Sequence, residues 1–355
     1  MLPKIAYLSW AIETFPHAKW DLATSGLPSI SAAELGQPSD LSDPKALQTF
    51  ARKVAERYGV AEKNVMPALG TSGAVWIAAA AVLGGLNGAD VLVEEPTYEP
   101  LLRAFEGFGA KVRRVRRRAE DGWRLDPKRV EEALREDTKL VVMASPHNPT
   151  GVPASDEDIA AIAKVCTQRG VYLLVDEVYR ELVAPKTSAF GLGSNVIAVS
   201  SLTKCFGLGW ARAGWVMLPD ELRAGARSAE MLAAGVLPTT CGAIGAFAMD
   251  KIEALAARAD VISAGKRAVV NAFMAKHPEL LWTPPPEKAL FGFVYTTNVN
   301  VTAGLARAAT EHGVVAVNGA FFDEPSGFRI SWASLQPDRL EAALATLAGC
   351  LGLAE

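Results

Sequence analysis

Short apolar runs alternate with longer mixed segments through the middle of the chain. Residues 140–144, 171–175 and 196–199 are almost entirely apolar, and polar or glycine-rich residues follow each run. Such runs are typical of strands buried on both faces. A helix is predicted between the first two, beginning near Ser155, with Asp158 at capping-box spacing. This order predicts consecutive βαβ units and therefore a parallel sheet flanked by helices.

Further elements are predicted on both sides of these units. Helices are predicted over residues 44–58, 74–83, 155–170, 221–237, 242–276, 303–312 and 337–351. Additional strands are predicted over residues 90–94, 110–118, 291–297, 314–317 and 327–333. Residues 1–40 contain four prolines and several aromatic residues. We expect them to form an irregular arm that packs on a core or borders a pocket or a partner subunit.

The order of the elements predicts an α/β protein in two parts. Residues 41–255 are expected to form a large domain with a mostly parallel central sheet flanked by helices. Residues 256–355, which include a proline-rich linker at 284–286, are expected to form a smaller α+β domain. The arm at 1–40 is predicted to be part of that smaller domain.

Composition narrows the class of protein. The chain has 355 residues and a net charge of −3, so nothing global indicates nucleic acid or an anionic membrane as a partner. Its four cysteines and four histidines are scattered, which predicts no metal site and fits a reducing compartment. The longest apolar stretch, residues 74–86, is too short to span a bilayer. No signal pattern is visible, and we expect a cytoplasmic protein.

Three polar residues follow the predicted buried strands at equal intervals. Asn148, Asp176 and Lys204 are separated by 28 residues each, so all three are expected just beyond the carboxyl ends of strands. Open α/β sheets bind ligands at that edge. A lysine buried there would have a lowered pKa and could act as an amine nucleophile. Taken alone, Lys204 could equally be an ordinary surface lysine.

Three other stretches leave alternatives open. Gly70-Thr71-Ser72-Gly73 precedes a predicted helix and is typical of either an anion site or simple N-capping. Arg329 lies within an apolar strand and should face a carboxylate or solvent. The basic run at 111–118 could bind phosphate or form a solvated edge strand.

The Gly207–Gly209 segment lacks the third glycine of a dinucleotide loop, and no P-loop, nucleophile elbow or HExxH motif is present.

Considered together, the motifs resemble those of the aspartate aminotransferase superfamily. These are class I/II aminotransferases of fold type I, which use pyridoxal 5′-phosphate (PLP). The resemblance runs from about Ser25 to the C-terminus. It rests on residues 147–151 (HNPTG), residues 176–179 (DEVY), Ser201-x-x-Lys204 with Arg212 eight positions later, and residues 328–331 (FRIS). It implies that the large domain binds PLP.

The resemblance also implies a role for each matching residue. Lys204 would form a Schiff base with PLP and move protons, with Asp176 and Tyr179 as the other catalytic residues. Asp176 would pair with the pyridine nitrogen, whereas Asn148 and Tyr179 would bind the phenolic oxygen. The implied cofactor-binding set is Thr71, Ser72, Tyr98, Asn148, Asp176, Tyr179, Ser201, Lys204 and Arg212. The implied substrate-binding set is Gly26, Asn148 and Arg329.

The implied function is transfer of an amino group from an L-amino acid to a 2-oxo acid by a homodimer. A PLP-dependent lyase, decarboxylase or cyclase of the same fold is the alternative, because the cofactor machinery does not fix which bond at Cα breaks. A PLP-binding regulatory module is disfavoured, because no residues remain for a DNA-binding domain. Two departures from the family pattern are the absence of tyrosine in 39–43 and Asn318-Gly319 in place of Pro-Gly.

Overall fold

A seven-stranded, mostly parallel sheet forms the centre of the protein. The computed structural model describes residues 2–297 and 299–353. The strands of this sheet are β2 (Val65–Leu69), β3 (Asp90–Glu95), β4 (Lys111–Arg116), β5 (Thr138–Ala144), β6 (Tyr172–Asp176), β7 (Val196–Ser201) and β8 (Ala213–Met217). Their order is β2-β8-β7-β6-β5-β3-β4, and β8 is antiparallel to both of its neighbours. The predicted α/β fold is therefore confirmed.

Helices cover both faces of this sheet. The helices described before residue 280 are α1 (Ala6–Thr14), α2 (Ala32–Leu35), α3 (Ala46–Tyr58), α4 (Gly70–Leu83), α5 (Glu99–Gly107), α6 (Pro127–Ala133), α7 (Asp156–Gln168), α8 (Thr203–Phe206), α9 (Arg223–Ala234), α10 (Thr239–Asp250), α11 (Ile252–Ser263) and α12 (Lys266–Lys276). Alternate β5 residues pack on opposite faces: Leu140 and Val142 join the core beneath α4, whereas Val141 and Met143 pack against α7. Burial on both faces explains why these strands are apolar throughout.

A smaller four-stranded antiparallel sheet lies toward the C-terminus. Its order is β12-β13-β10-β9, and a separate parallel pair joins β1 to β11. These strands are β1 (Trp20–Asp21), β9 (Leu281–Trp282), β10 (Phe291–Tyr295), β11 (Val314–Val315), β12 (Val317–Asn318) and β13 (Gly327–Ser331), and the accompanying helices are α13 (Val301–His312) and α14 (Pro337–Leu351). The β1–β11 pair brings the start of the chain onto the C-terminal elements. The domain bounds at 40/41 and 255/256 stay predictions.

Several local predictions are wrong. The arm at 1–40 is not wholly irregular, because α1 and α2 form within it. The single helix predicted over 242–276 is three helices, which break near Lys251 and at Ala264-Gly265. Strands β2 and β8 and helix α5 were not predicted. β2 includes Pro67, which is tolerated because β2 is an edge strand.

Among the described residues, every helix is too short or too polar to cross a membrane. In the same part of the chain, no cluster of three or more His, Cys, Asp or Glu side chains could hold a metal ion.

Candidate active site

The three equally spaced polar residues lie at one edge of the large sheet. Asn148 follows β5, Asp176 ends β6 and Lys204 follows β7, and these strands are neighbours in the sheet. They line a cavity of about 570 Å³. All nine residues of the predicted cofactor-binding set line it: Thr71, Ser72, Tyr98, Asn148, Asp176, Tyr179, Ser201, Lys204 and Arg212. A second cavity of about 590 Å³, beside α3 and β2, contains none of them.

Lys204 lies within the cavity wall rather than on the outer surface. It is in the four-residue helix α8, and its Nζ donates a long hydrogen bond of 3.4 Å to Ser25 Oγ. A Cβ atom on Gly26 would lie 3.1 Å from Lys204 Cδ, so a larger residue there would crowd the lysine. Burial, reinforced by the positive charge of Arg329, lowers the pKa of Lys204 to about 8 against the opposing effect of Asp176. About a tenth of the amine is therefore unprotonated at pH 7, far more than for an ordinary lysine.

Asp176 is a carboxylate enclosed by protein. It is 7% exposed, and its Oδ1 accepts a hydrogen bond of 3.1 Å from the Val178 amide. Burial raises the pKa of Asp176 to about 7, although the Val178 amide acts in the opposite direction. A carboxylate held in this way gains most from a cationic partner inside the cavity, because opposite charge offsets the cost of its desolvation.

The start of α4 has the character of an anion site. Its N-cap residue is Leu69, which has no capping side chain, so Thr71 and Ser72 do not act as the N-cap. Thr71 Oγ1 instead donates to Ser201 Oγ at 3.0 Å. Arg212, just before β8, holds the loop through a hydrogen bond of 3.0 Å from its Nη2 to the Leu69 carbonyl. Amide groups, hydroxyls and a guanidinium thus converge on one end of the cavity.

Two glycines allow the start of α4 to lie in close contact with Arg212 and β8. A Cβ on Gly70 would lie 2.5 Å from Arg212 Nη2, and a Cβ on Gly214 would lie 2.6 Å from the Gly70 carbonyl carbon. Gly70 also has φ +69°, a conformation that glycine adopts without strain. The loop and the arginine therefore occupy a cradle that a methyl group would fill.

The orientation of Asn148 follows from its contact with Arg329. Arg329 Nη1 donates to Asn148 Oδ1 at 2.8 Å, and a guanidinium can only donate. The amide nitrogen of Asn148 therefore remains available as a donor to a ligand oxygen. Tyr179 Oη lies 2.7 Å from Ser25 Oγ, and Tyr98 forms another part of the wall.

Arg329 lies one layer behind the cavity wall. Its side chain is fully buried, which excludes the solvent-facing alternative. The rings of Tyr7, Phe291 and Phe322 surround the guanidinium at 5.4–5.8 Å. Among the described residues, Arg329 has no acidic partner within ion-pair distance, and its Nε has no hydrogen-bond acceptor. Such a cation favours an incoming carboxylate.

Sequence reasoning missed several residues that support this site. Ser25 links Lys204 to Tyr179, and Tyr7 contacts Arg329. The basic run at 111–118 does form an edge strand, but Arg117 turns inward and pairs with Glu94, with Nη2 to Oε2 at 2.6 Å and neither side chain exposed. Only the aromatic content of the arm could have singled out Tyr7 in advance.

The donor set fits PLP by its chemistry. The anion site at α4 matches a phosphate, Lys204 matches an aldehyde, and the buried carboxylate of Asp176 matches a protonated ring nitrogen. The fold and the site together define a PLP-dependent enzyme of fold type I.

Comparisons with known proteins agree with that class. Residues 19–347 match the family described as aminotransferase class I and II, and the chain belongs to this family. A probable N-succinyldiaminopimelate aminotransferase DapC of Mycobacterium tuberculosis is 32% identical over 236 residues, which cover 57% of this chain and 59% of that protein. Capreomycidine synthase of Streptomyces vinaceus is 26% identical over 375 residues, covering 99% of this chain and 94% of that protein.

A structural comparison supports the fold. The structure of a PLP-dependent aminotransferase from Streptococcus suis superposes with a TM-score of 0.88 at 21% identity, covering 99% of this chain and 98% of that one. The family membership confirms PLP as the cofactor. The match to DapC spans about three fifths of that relative's length.

Proposed function

We propose that this chain is an aminotransferase that transfers the amino group of an L-amino acid to a 2-oxo acid. The observation that carries the proposal is the cavity in which Lys204, of lowered pKa, faces Asp176 and the anion site at α4. Family membership supports the same reaction. Arg329 is buried and, in the part of the chain that the structure describes, its hydrogen bonds go to neutral oxygens, so it supplies the charge that an α-carboxylate requires.

Each residue contributes one physical task. When bound, PLP withdraws electrons from the substrate Cα and makes its proton acidic. Lys204 Nζ, unprotonated above about pH 8, accepts that Cα proton and returns it. Asp176 would keep a proton on the ring nitrogen of PLP, and Asn148 and Tyr179 would donate hydrogen bonds to its phenolic oxygen. Arg329 binds the carboxylate and so fixes the orientation of the Cα–H bond.

The lining of the cavity favours a substrate with an apolar or aromatic side chain. Its lining includes six apolar residues from the N-terminal segment, α4, α5 and the residue that follows α5: Ile5, Leu8, Val75, Leu101, Ala104 and Phe108. The charged residue in this part of the lining is Arg103. Arg103 is paired with Glu99 (Nε to Oε1, 3.2 Å) and with Glu106 (Nη1 to Oε2, 2.9 Å), so its charge is offset. An apolar substrate side chain would bury its surface against this wall.

A cyclase, or another PLP-dependent lyase or decarboxylase, is the second candidate. The supporting observation is that a relative named as a synthase rather than an aminotransferase, capreomycidine synthase, aligns over 99% of this chain, whereas the match to DapC covers 57%. Both reactions would use the same lysine and the same carboxylate site. They differ in the bonds that break: transamination breaks the Cα–H bond, decarboxylation would break the bond from Cα to the carboxylate instead, and elimination or cyclisation would break a further bond after Cα–H.

An isotope-transfer experiment separates the two candidates. The holoenzyme is incubated with phenylalanine labelled at its amino nitrogen and with 2-oxoglutarate. Transamination predicts labelled glutamate together with phenylpyruvate. Ammonia, carbon dioxide or a cyclised product from any donor, without labelled glutamate, would contradict the proposal. Lys204→Ala serves as the negative control, and lysine and aspartate as donors test the apolar preference.

We propose a homodimer because apolar side chains are exposed on the surface around the anion site. Leu69, Trp76 and Trp210 are 36–41% exposed and flank Ser72 and Arg212, which are themselves exposed in a single chain. A second copy would cover these side chains and close the phosphate end of the cavity. Light scattering should give about twice the chain mass of 37.6 kDa, and a monomeric mass would contradict this.

A cytoplasmic location is also proposed, and four free cysteines support it.

A further inference from the structure

Arg329 is held by three neutral oxygens rather than by a carboxylate. Nη1 donates to Asn148 Oδ1 at 2.8 Å, and Nη2 donates to the Ala23 carbonyl at 2.7 Å and to Tyr7 Oη at 3.1 Å. Neutral acceptors orient a guanidinium without cancelling its charge. The two remaining N–H groups, including that of Nε, are free to receive a substrate carboxylate.

Tyr7 is well placed to keep that orientation. Its ring is 5% exposed and packs edge-on against Tyr98 at 5.4 Å and Phe321 at 5.7 Å. Its amide donates to Glu99 Oε2 at 2.7 Å, which fixes α1 to the start of α5. The hydroxyl therefore reaches Arg329 from a rigid position.

We propose that Tyr7 is a positioning residue for the substrate carboxylate. Its hydroxyl fixes the Arg329 guanidinium, so that the free N–H groups of Nε and Nη1 are held in one orientation for an incoming carboxylate. The proposal rests on the proposed function, because it takes Arg329 as the carboxylate site. It assigns substrate recognition to α1, a segment outside the motifs that carry the cofactor.

The test measures ligand binding rather than turnover. Hydrocinnamate, an apolar carboxylate, and phenylpropanol, its neutral analogue, are titrated calorimetrically into the holoenzyme. Tyr7→Phe keeps the ring and removes the hydroxyl, so hydrocinnamate should bind about tenfold more weakly while phenylpropanol is unaffected. In turnover, KM should rise for both the amino acid and the oxo acid with little change in kcat. Tyr172→Phe, which removes a hydroxyl bonded to Glu221 away from the cavity, is the matched control.

A double-mutant cycle keeps the test decisive. If Tyr7 acts through Arg329, then Tyr7→Phe should have no further effect on hydrocinnamate binding in an Arg329→Lys background. Equal losses for the carboxylate and the alcohol, an unchanged affinity for both, or a full loss in that background would overturn the proposal. A hydroxyl-dependent carboxylate affinity in an enzyme without transaminase activity would count against the proposed function alone.

Discussion

Ser25 Oγ lies 2.7 Å from Tyr179 Oη and 3.4 Å from Lys204 Nζ, so a single hydroxyl joins two residues of the predicted catalytic set. Ser25 comes from the N-terminal arm, whereas its partners follow β6 and β7. The contact therefore orients the lysine from outside the large sheet.

Replacing Ser25 tests this bridge. Ser25→Ala should lower kcat/KM about tenfold, because both Tyr179 and Lys204 lose a partner in a buried site. Steady-state kinetics of the holoenzyme measure the effect. Ser9→Ala, an exposed serine on α1, is the control and should leave kcat/KM unchanged. Equal kinetics for Ser25→Ala and wild type would show that the bridge is not used.

The pKa of Lys204 predicts how cofactor uptake depends on pH. A pKa of about 8 means that the unprotonated fraction rises about tenfold from pH 7 to pH 9. Incorporation of PLP into the cofactor-free protein should accelerate by a similar factor. Borohydride reduction followed by mass spectrometry measures it. Lys204→Ala should incorporate none at this position and lose turnover, while Lys128→Ala, an exposed lysine, should behave as wild type. A pH-independent rate would argue against the lowered pKa.

Asp176 predicts a pH-dependent change in stability of the cofactor-free protein. Its pKa is about 7 in the folded chain and 3.8 in its reference state, so the folded chain binds more protons between these values. Stability from this group is present at low pH and declines as pH rises through that interval. Asp176→Asn lacks the titration. Relative to wild type it should gain about 2–4 kcal/mol in free energy of unfolding from pH 4 to pH 8.

Urea unfolding at the two pH values measures that gain. Asp260→Asn, at a carboxylate with an exposed side chain, is the control and should show little pH-dependent difference. Asp176→Asn should also bind PLP poorly, because the ring nitrogen loses its anionic partner. A constant difference between Asp176→Asn and wild type across pH would refute the titration argument.

The buried pair of Arg117 and Glu94 predicts a large stability effect. Arg117→Met would leave Glu94 enclosed without its cationic partner, and should cost about 3–5 kcal/mol in free energy of unfolding. Arg116→Met, whose side chain is 50% exposed, should cost less than about 1 kcal/mol. Chemical denaturation of both variants gives the comparison. Similar losses at the two neighbouring positions would mean that burial does not decide the effect.

The spacing of Asn148, Asp176 and Lys204 could be predicted because each follows a continuously apolar strand. The carboxyl ends of parallel strands lie at the same edge of a sheet, and this does not depend on the conformation of the loops. The N-cap at Ser155 was predicted and is confirmed, with its Oγ accepting from the Asp158 amide at 3.1 Å. The apolar strands and the N-cap both depend on residues close together in sequence, so they could be predicted without knowledge of the fold.

The inward turn of Arg117 could not be predicted in this way. Its buried partner, Glu94, is 23 positions away, and nothing in a run of arginines distinguishes the one that meets it. The contact between Gly70 and Gly214 is likewise set by pairing between β2 and β8. Both depend on how distant segments pack, which periodicity does not encode.

The residues predicted to hold PLP lie between Thr71 and Arg212, whereas Tyr7 and Arg329 come from the two ends of the chain. The carboxylate site thus draws on both ends of the described chain, and Asn148 is the residue it shares with the predicted cofactor set. Substitutions in the outer segments can retune which carboxylate is accepted while the cofactor chemistry stays intact. Substrate preference could therefore change under selection without an intermediate variant that has lost activity.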